Sequence, residues 1–245
     1  MLAMLTAAAP IDSSVPFVPS PPEVVEGMLD LAGLKAGERL VDLGSGDGRV
    51  AIAAARRGAS ALGVDISAGL VARARLHARD EGVEGKARFV RGDLFTATIR
   101  DADVVTLYLL PDVNRRVRPK LLTELRAGTR VVSHAFDMSE WAPDARRLAA
   151  GRMIYLWIVP AVVGGRWQLT YADGRTAVLE LGQRFQQVTG TLDGQPLSDV
   201  VLQGNRLRFT VREQALHALV TERTMVPDPA APSQATKNWR GERAE

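Results

Sequence analysis

The sequence contains no cysteine among its 245 residues, which excludes disulfide scaffolds, cysteine zinc sites and thiol nucleophiles. Its three histidines, His77, His134 and His217, lie far apart and match no metal-ligand spacing, so we expect no metal site. The longest apolar runs, such as residues 154–163, fall well short of the roughly 20 residues that a membrane-spanning helix needs. These absences indicate a globular protein without thiol chemistry or membrane spans.

The chain also has little net charge of either sign. It has 31 Lys and Arg against 28 Asp and Glu, a net charge of +3, although its pI is about 9.6. Arginine supplies nearly all of the cations in an alanine-rich chain, which is more typical of coding bias than of selection for a polyanion. We therefore expect no nucleic-acid partner.

The chain divides into three parts. Residues 1–14 are apolar and alanine-rich, which predicts a disordered tail or the remnant of an export signal. Residues 15–162 alternate β-rich and helical runs, which predicts a parallel sheet with helices on both faces. That sheet closes with an antiparallel hairpin at residues 146–148 and 153–159. Residues 163–245 have short alternating runs with Asp-Gly and Gly-Asn turns, which predicts an antiparallel β domain with a loose tail from Pro227.

A glycine-rich loop follows the first predicted strand. The run VDLGSGDGR places Asp42 at the end of that strand and glycines at positions 44, 46 and 48 before a helix begins. Glycine lets the backbone turn sharply and lets a ligand approach the main chain. A plain strand-to-helix turn rarely needs three glycines, so the loop predicts a ligand site.

The loop discriminates between classes of ligand. The dinucleotide fingerprint G-x-G-x-x-G/A fails because Arg49 occupies its third glycine position, and the G-K-[ST] of a P-loop is absent. The negative charge of Asp47 would also repel a phosphate bound at the loop. An acidic glycine loop suits S-adenosylmethionine, a zwitterionic sulfonium without phosphate, and disfavours a nicotinamide oxidoreductase.

Acidic residues also end the next two strands. Asp65, in GVDIS, can accept hydrogen bonds from both ribose hydroxyls, and Asp93, in RGDLF, can bond an adenine amino group with Leu94 or Phe95 against the ring. Asp65 would serve a nicotinamide dinucleotide equally well, so it indicates a nucleoside without choosing between ligands. Open α/β sheets bind ligands at the carboxyl ends of their strands, which makes the three motifs more informative together.

This combination of motifs resembles the class I S-adenosylmethionine-dependent methyltransferases over about residues 15–160. The resemblance implies an α/β fold with a seven-stranded Rossmann-like sheet and helices on both faces. It also places the end of the fourth strand, VVTLYLLP, near the methyl group. Methyl transfer to nitrogen needs a positioned nucleophile with a free lone pair. Tyr108 and the carbonyls of Leu109 and Leu110 could hold such an amine, and Tyr108, Phe17 or Trp141 could form an aromatic wall.

Longer segments of the sequence limit the resemblance to one family. VPFVPSPPEVVEGML, the strand-four motif TLYLLP and the Trp141-Ala-Pro run together are similar to a small family of protein-lysine methyltransferases, whose mitochondrial members modify the adenine nucleotide translocase and the ATP synthase c-subunit. In that family the proline-rich lead-in folds over the cofactor, which makes Phe17, Val18 and Pro19 candidate lid residues. The β region after residue 163 is absent from the mitochondrial members, so it could recruit substrate, cover the site or mediate a homodimer.

The motifs and the resemblance together predict the site residues. The predicted cofactor-binding residues are Asp42, Gly44, Ser45, Gly46, Asp47, Gly48, Asp65, Ile66, Asp93, Leu94, Leu107, Phe17 and Pro19. The predicted catalytic residue is Tyr108, and the predicted acceptor-binding residues are Leu109, Leu110, Pro111 and Trp141.

The predicted activity is N-methylation of a protein lysine by S-adenosylmethionine. A small-molecule methyltransferase and a non-catalytic cofactor-binding module are the alternatives. His134, just after the fifth predicted strand, is a candidate general base near neutral pH or a satisfied histidine. The cofactor is made in the cytoplasm, which is the expected compartment, and export is the alternative if the N-terminus is a signal remnant.

Overall fold

A seven-stranded sheet with helices on both of its faces forms the first half of the fold. The computed structural model describes residues 17–231 and 238–244, so the predicted tail at residues 1–14 lies outside the described residues. The strand order is β3-β2-β1-β4-β5-β7-β6, with the first five strands parallel and the β6–β7 hairpin antiparallel. The strands are β1 Arg39–Leu43, β2 Ser60–Asp65, β3 Ala87–Arg91, β4 Val104–Leu107, β5 Arg130–His134, β6 Ala145–Ala149 and β7 Arg152–Ile158.

Four helices cover this sheet: α1 Pro22–Leu31, α2 Arg49–Arg56, α3 Ala68–Asp80 and α4 Pro111–Glu124. Alternate residues of β1 face opposite layers, since Leu40 joins the core beneath α1, α2 and α3 whereas Val41 joins the core beneath α4. A strand buried on both faces has an almost continuous apolar run, as β1 has. The strand order reverses between β1 and β4, which opens a crevice at their carboxyl ends.

The connection between β4 and α4 differs from the sequence prediction. The apolar run VVTLYLL predicts a strand over residues 104–110 and a helix from Asn114, but β4 ends at Leu107 and α4 begins at Pro111. Proline disfavours a helical conformation in the residue before it and is well accommodated in the first helical turn, so Leu110 is extended (φ −66°, ψ 154°) and the helix begins directly after it. Tyr108, Leu109 and Leu110 therefore belong to a connecting segment.

A nine-stranded antiparallel sheet follows, nearly barrel-shaped, in the order β11-β10-β9-β8-β16-β15-β14-β13-β12. Its interior holds large apolar side chains, including Trp167 and Phe209. The predicted fold class, a seven-stranded sheet with helices followed by an antiparallel β unit, is confirmed. The strands are β8 Gly165–Tyr171, β9 Thr176–Arg184, β10 Gln187–Leu192, β11 Gln195–Pro196, β12 Ser198–Gln203, β13 Arg206–Val211, β14 Gln214–Val220, β15 Thr224–Pro227 and β16 Trp239–Arg243.

The prediction of a loose tail from Pro227 to the end is wrong for its last part. Strand β16 lies inside the sheet, paired with β8 on one side and β15 on the other. Its side chains alternate between the interior and solvent, with Trp239 and Gly241 buried and Arg240 exposed. Because the alternation covers only five residues after a Pro- and Ala-rich stretch, it was too short to predict a strand.

Within the described residues, the two halves of the fold touch near the linker and at the turn between β9 and β10. Near the linker, the amide of Ala161 donates to the carbonyl of Gly204 (2.8 Å), and a Cβ at Gly204 would lie 3.0 Å from the Cα of Gly128. At the other contact, Phe185 of the second sheet packs against the core beneath α4. Within residues 17–231 and 238–244, no helix is long and apolar enough to cross a membrane.

Candidate active site

The glycine loop joins β1 to α2 at the crevice. Gly44 and Gly46 have φ angles of +80° and +54°, which favour glycine. A Cβ at Gly44 would lie 2.7 Å from Cδ2 of Leu109, and one at Gly46 would collide with the ring of Phe17. Glycine at these positions therefore keeps the main chain close to the cavity between the loop and the β4–α4 connection.

Asp65 holds the glycine loop in place from the end of β2. Its carboxylate accepts the backbone N–H of Gly46 at Oδ2 (2.8 Å) and that of Ser67 at Oδ1 (2.8 Å). A carboxylate offers about four lone-pair positions, so these two bonds leave acceptor capacity toward the cavity that Asp65 lines. Asp93 lies on the cavity after β3 and accepts the N–H of Phe95 at Oδ1 (2.9 Å).

The cavity at the carboxyl ends of the strands measures about 750 Å³, within the range of small-molecule sites. Acidic groups lie at one end and apolar side chains at the other. It is lined by Phe17, Val18, Gly44, Val64, Asp65, Ile66, Ser67, Ala68, Leu70, Arg91, Gly92, Asp93, Leu94, Tyr108, Leu109, Leu110, Val113 and Phe136.

Two acids of the glycine motif lie behind the cavity. Asp42 is buried and accepts the hydroxyl of Thr106 (2.7 Å). Burial raises the pKa of Asp42 from 3.8 to about 7, the Thr106 bond opposes the rise, and the nearby charges of Asp65 and Asp47 add to it. Asp47 instead receives two hydrogen bonds from Arg49, at 2.9 and 2.6 Å. Burial acts to raise the pKa of Asp47, but the bonds and charge of Arg49 outweigh it and lower the pKa below its usual value.

Tyr108 forms an aromatic wall with residues of β5 and the loop after it. Its ring stacks on His134 at 3.8 Å between centroids, and Phe136 lies 6.4 Å away at an interplanar angle of 18°. Burial, with a smaller contribution from the charge of Arg152, lowers the pKa of His134 to about 4. His134 is therefore neutral and a poor base near pH 7, and its Nδ1 lies 2.9 Å from the hydroxyl of Ser20.

The structure brings about half of the predicted site residues onto the cavity and places the others behind it or outside its lining. Leu107 is fully buried, Gly48 is the N-cap of α2, and Pro19 is exposed away from the lining. The predicted residues that line the cavity are Phe17, Gly44, Asp65, Ile66, Asp93, Leu94, Tyr108, Leu109 and Leu110, and those that do not are Asp42, Ser45, Gly46, Asp47, Gly48, Leu107, Pro19, Pro111 and Trp141.

Trp141 has the greatest difference between its predicted and observed surroundings. Its ring is completely buried, 5.9 Å from the ring of Trp157 and 6.2 Å from that of Phe185, and its carbonyl accepts the indole N–H of Trp157. An enclosed ring cannot contact an acceptor, so Trp141 is a core residue of the loop after β5.

Phe136 and Val113 are among the lining residues that the sequence analysis missed. Phe136 follows β5, and Val113 lies in the first turn of α4. An aromatic directly after a parallel strand is a usable signal for Phe136, because strand ends face the crevice. Val113 has no such signal, since an apolar residue in a first helical turn usually packs inward.

The cavity fits a nucleoside without phosphates. Asp65 and Asp93 supply acceptors at its acidic end, with one arginine, Arg91, whose Nε donates to the carbonyl of Ile66. These features fit S-adenosylmethionine better than a pyrophosphate-containing dinucleotide.

Comparisons with known proteins agree with this geometry. The family model of the ANTKMT methyltransferase domain matches residues 42–145. A protein-lysine N-methyltransferase of Saccharolobus islandicus (strain REY15A) is 40% identical over 151 residues, which are 59% of this chain and 94% of that protein. The adenine nucleotide translocase lysine N-methyltransferase of Mus musculus is 39% identical over 137 residues, 56% of this chain and 59% of that protein.

Among solved structures, an RNA methyltransferase from Salinibacter ruber in complex with S-adenosyl-L-homocysteine has 49% sequence identity and a TM-score of 0.59. That match covers 60% of this chain and 96% of the other.

Fold, site and relatives define an S-adenosylmethionine-dependent methyltransferase. The chain belongs to the ANTKMT methyltransferase family. The family model ends at residue 145, before the nine-stranded sheet begins at Gly165, so the β unit is an addition to the region that the model describes.

Proposed function

We propose that this enzyme methylates the side-chain amine of a lysine in a protein. The observation that carries the proposal is the far end of the cavity, which is lined by aromatic and aliphatic side chains without a charged group: Tyr108, Leu109, Leu110, Val113 and Phe136. Such a wall suits the aliphatic stem of lysine, and its lack of charge favours the neutral form of the amine. The lysine acceptor of the Saccharolobus islandicus relative supports the same acceptor class.

The acidic end of the same cavity would hold the cofactor. We infer that Asp65 accepts the ribose hydroxyls and that Asp93 and Leu94 take the adenine, because both acids lie on the cavity and retain acceptor capacity. Phe17 packs over Gly46 and would cover the ligand from the lead-in. When bound, S-adenosylmethionine supplies a methyl group on a sulfonium, a carbon already activated for displacement.

The acceptor end would prepare the amine. A lysine amine in water has a pKa of about 10.4 and must lose a proton before it can attack. Apolar surroundings disfavour its charged form, so enclosure by Leu109, Val113 and Phe136 would lower that pKa and free the lone pair. The hydroxyl oxygen of Tyr108 would then orient the neutral amine by accepting a hydrogen bond from its N–H. His134 is excluded as the base at neutral pH by its pKa of about 4.

The test is to label a lysate of the source organism with tritiated S-adenosylmethionine and the purified enzyme. We expect the label to be protease-sensitive and to run as methyl-lysine after hydrolysis. Replacing Tyr108 by Phe removes one orienting hydrogen bond and should lower the rate about tenfold. Tyr155, a strand residue of β7 away from the cavity, offers the matched control, and Tyr155→Phe should leave the rate unchanged.

The same experiment separates the competing acceptors. Ribonuclease-sensitive label would favour RNA, the acceptor class in the name of the Salinibacter ruber relative, and would contradict the lysine proposal. Label in small metabolites alone would favour a small-molecule methyltransferase. We place the activity in the cytoplasm, where the cofactor is made, and the homodimer through the β unit stays a prediction.

A further inference from the structure

The loop between β5 and β6, residues 135–144, is under backbone strain. Two of its residues that are not glycine, Ala135 and Ser139, have φ angles of 66° and 54°. Such conformations persist only when the surrounding structure holds them, and they cluster near functional sites. This loop carries Phe136, which lines the acceptor end of the cavity. The contacts that hold this loop therefore position Phe136 at the acceptor end of the cavity.

Helix α4 holds the first part of the loop. The side-chain amide of Asn114, which is fully buried, donates to the carbonyls of Phe136 (3.2 Å) and Asp137 (3.3 Å). Arg118 donates to the carbonyl of Met138 (2.8 Å). The methyltransferase half also reaches the second part of the loop, where the indole N–H of Trp157 donates to the carbonyl of Trp141 (2.7 Å) and Arg118 lies 3.7 Å from the carboxylate of Glu140.

The nine-stranded sheet holds the second part of the loop through the turn between β9 and β10. The ring of Phe185 stacks on Trp141 at 6.2 Å and 20°, and the guanidinium of Arg118 lies 5.4 Å from the centre of the Phe185 ring. Gln186 donates its amide to the carbonyl of Ala142 (2.6 Å), and Arg184 pairs with Glu140 at 3.1 Å. The loop is thus enclosed between α4 and this turn.

The turn is itself anchored to the linker between the two sheets. Phe185 has a φ angle of 56°, a third strained residue at the same contact. Gln183 fixes it, since its Nε2 donates to the carbonyls of Phe185 (2.8 Å) and Ala161 (2.8 Å). The Oε1 of Gln183 accepts the amides of Val163 (2.7 Å) and Gly164 (2.9 Å). One side chain therefore ties the turn to the linker, with one hydrogen bond to Phe185 and three to linker residues 161–164.

We propose that Phe185 and Gln186 are positioning residues through which the β unit holds the loop 135–144, and with it Phe136, at the acceptor end of the cavity. The glutamine-rich run 183–187 is then the contact by which the added unit sets the geometry of the active site. The effect on turnover rests on the proposed function, because it requires Phe136 to contact the acceptor.

The test uses the full-length protein with Phe185→Ala and the milder Gln186→Ala, which removes one hydrogen bond without opening a cavity. Gln195→Ala, an exposed glutamine at the distant β11 edge, is the matched control. Amide hydrogen exchange should be about tenfold faster over residues 135–144 in Phe185→Ala, less so in Gln186→Ala, and unchanged at the glycine loop 44–48.

Turnover supplies a second readout. A general loss of structure would change both the transfer rate and the affinity for the cofactor, whereas a positioning role changes the rate alone. At saturating S-adenosylmethionine, the rate of tritium transfer should fall roughly tenfold in Phe185→Ala, while the KM for S-adenosylmethionine and the affinity for S-adenosylhomocysteine stay at wild-type values. Gln195→Ala should match the wild type in all of these measurements.

Two results would overturn the inference: unchanged exchange over residues 135–144 in both variants, or faster exchange with an unchanged transfer rate. Failure of the lysine proposal is distinguishable, because the wild type would then label RNA or metabolites, and the variants would be compared on that acceptor. Faster exchange together with slower transfer to it would still support the positioning role.

Discussion

At the scale of single residues, the buried acid Asp42 of the glycine motif lowers the free energy of unfolding at high pH. Its carboxyl group is enclosed behind the cavity, with Thr106 as its side-chain hydrogen-bond donor. Burial raises its pKa from 3.8 to about 7, so at neutral pH and above the folded protein must hold a charge that the unfolded chain leaves in water. The motif acid therefore opposes stability at high pH.

This burial predicts the direction of the pH dependence. Between about pH 4 and pH 7 the native state binds more protons at Asp42 than the unfolded state, so the contribution of this group to the free energy of unfolding falls as pH rises. Asn keeps the bond from Thr106 and carries no charge. Asp42→Asn should therefore raise the free energy of unfolding by up to about 4 kcal/mol at pH 8, since each unit of pKa shift corresponds to about 1.4 kcal/mol, and by less than half of that at pH 5.

Urea unfolding of the ligand-free protein at both pH values measures this difference. Asp80→Asn, at the exposed end of α3, is the control and should change neither value. A loss of stability in Asp42→Asn at pH 8 would contradict the assignment.

At the scale of elements, Ser20 attaches the lead-in before α1 to the rest of the fold. The hydroxyl of Ser20 lies 2.9 Å from Nδ1 of His134, and its carbonyl accepts Nη1 of Arg49 (2.6 Å). Arg49 is in turn held by Asp47 of the glycine loop. Ser20 thus links the lead-in to both the glycine loop and the stacked pair of His134 and Tyr108, and so places Phe17 over Gly46.

We expect Ser20→Ala to loosen this cover over the cofactor. One hydrogen bond between neutral groups contributes about 1 kcal/mol, so the affinity for S-adenosylhomocysteine should fall about fivefold while kcat stays near the wild-type value. Calorimetric titration measures the affinity, with Ser198→Ala, on an exposed position of β12, as the control. Equal affinity in Ser20→Ala and wild type would show that the lead-in does not depend on this bond.

At the scale of the whole molecule, strand β16, Trp239–Arg243, completes the nine-stranded sheet. Strand β16 lies between β8 and β15, so the first and last strands of the β unit meet at its centre. Trp239 is buried there, and a Cβ at Gly241 would lie 2.7 Å from Leu169. Removing this strand leaves two unpaired edges in the middle of the sheet.

Deletion of residues 239–245 should therefore unfold the β unit, because these residues are part of its sheet. We expect rapid proteolysis within residues 165–227 and faster exchange over the loop 135–144, which would lose its contact with Phe185. Arg240→Ala, on the exposed face of β16, keeps the strand and should behave as the wild type. A deletion variant with wild-type resistance to protease would show that β8 and β15 do not need the strand between them.

Local sequence was sufficient for the first half of the fold and for the acidic end of the site. Gly44, Asp65 and Asp93 each follow a short buried strand, and the topology rule for parallel sheets places all such ends at one edge. The family resemblance added Tyr108 and the lead-in residue Phe17, both of which line the cavity. These predictions needed only residues near one another along the chain.

Tertiary structure decided which aromatic residues face the cavity and what the β unit does. Trp141 and Phe136 lie in the same loop with similar local patterns, yet one is enclosed by Trp157 and Phe185 and the other lines the cavity. Strand β16 is stable only because β8 and β15 are already aligned on either side of it. By itself the sequence determined the methyltransferase sheet and its nucleoside edge, because those follow from local periodicity and strand order. The acceptor wall depends on contacts between residues such as Asn114 and Phe136, which are 22 positions apart, and its contact with the β unit joins residues 44 positions apart; no local pattern records either distance.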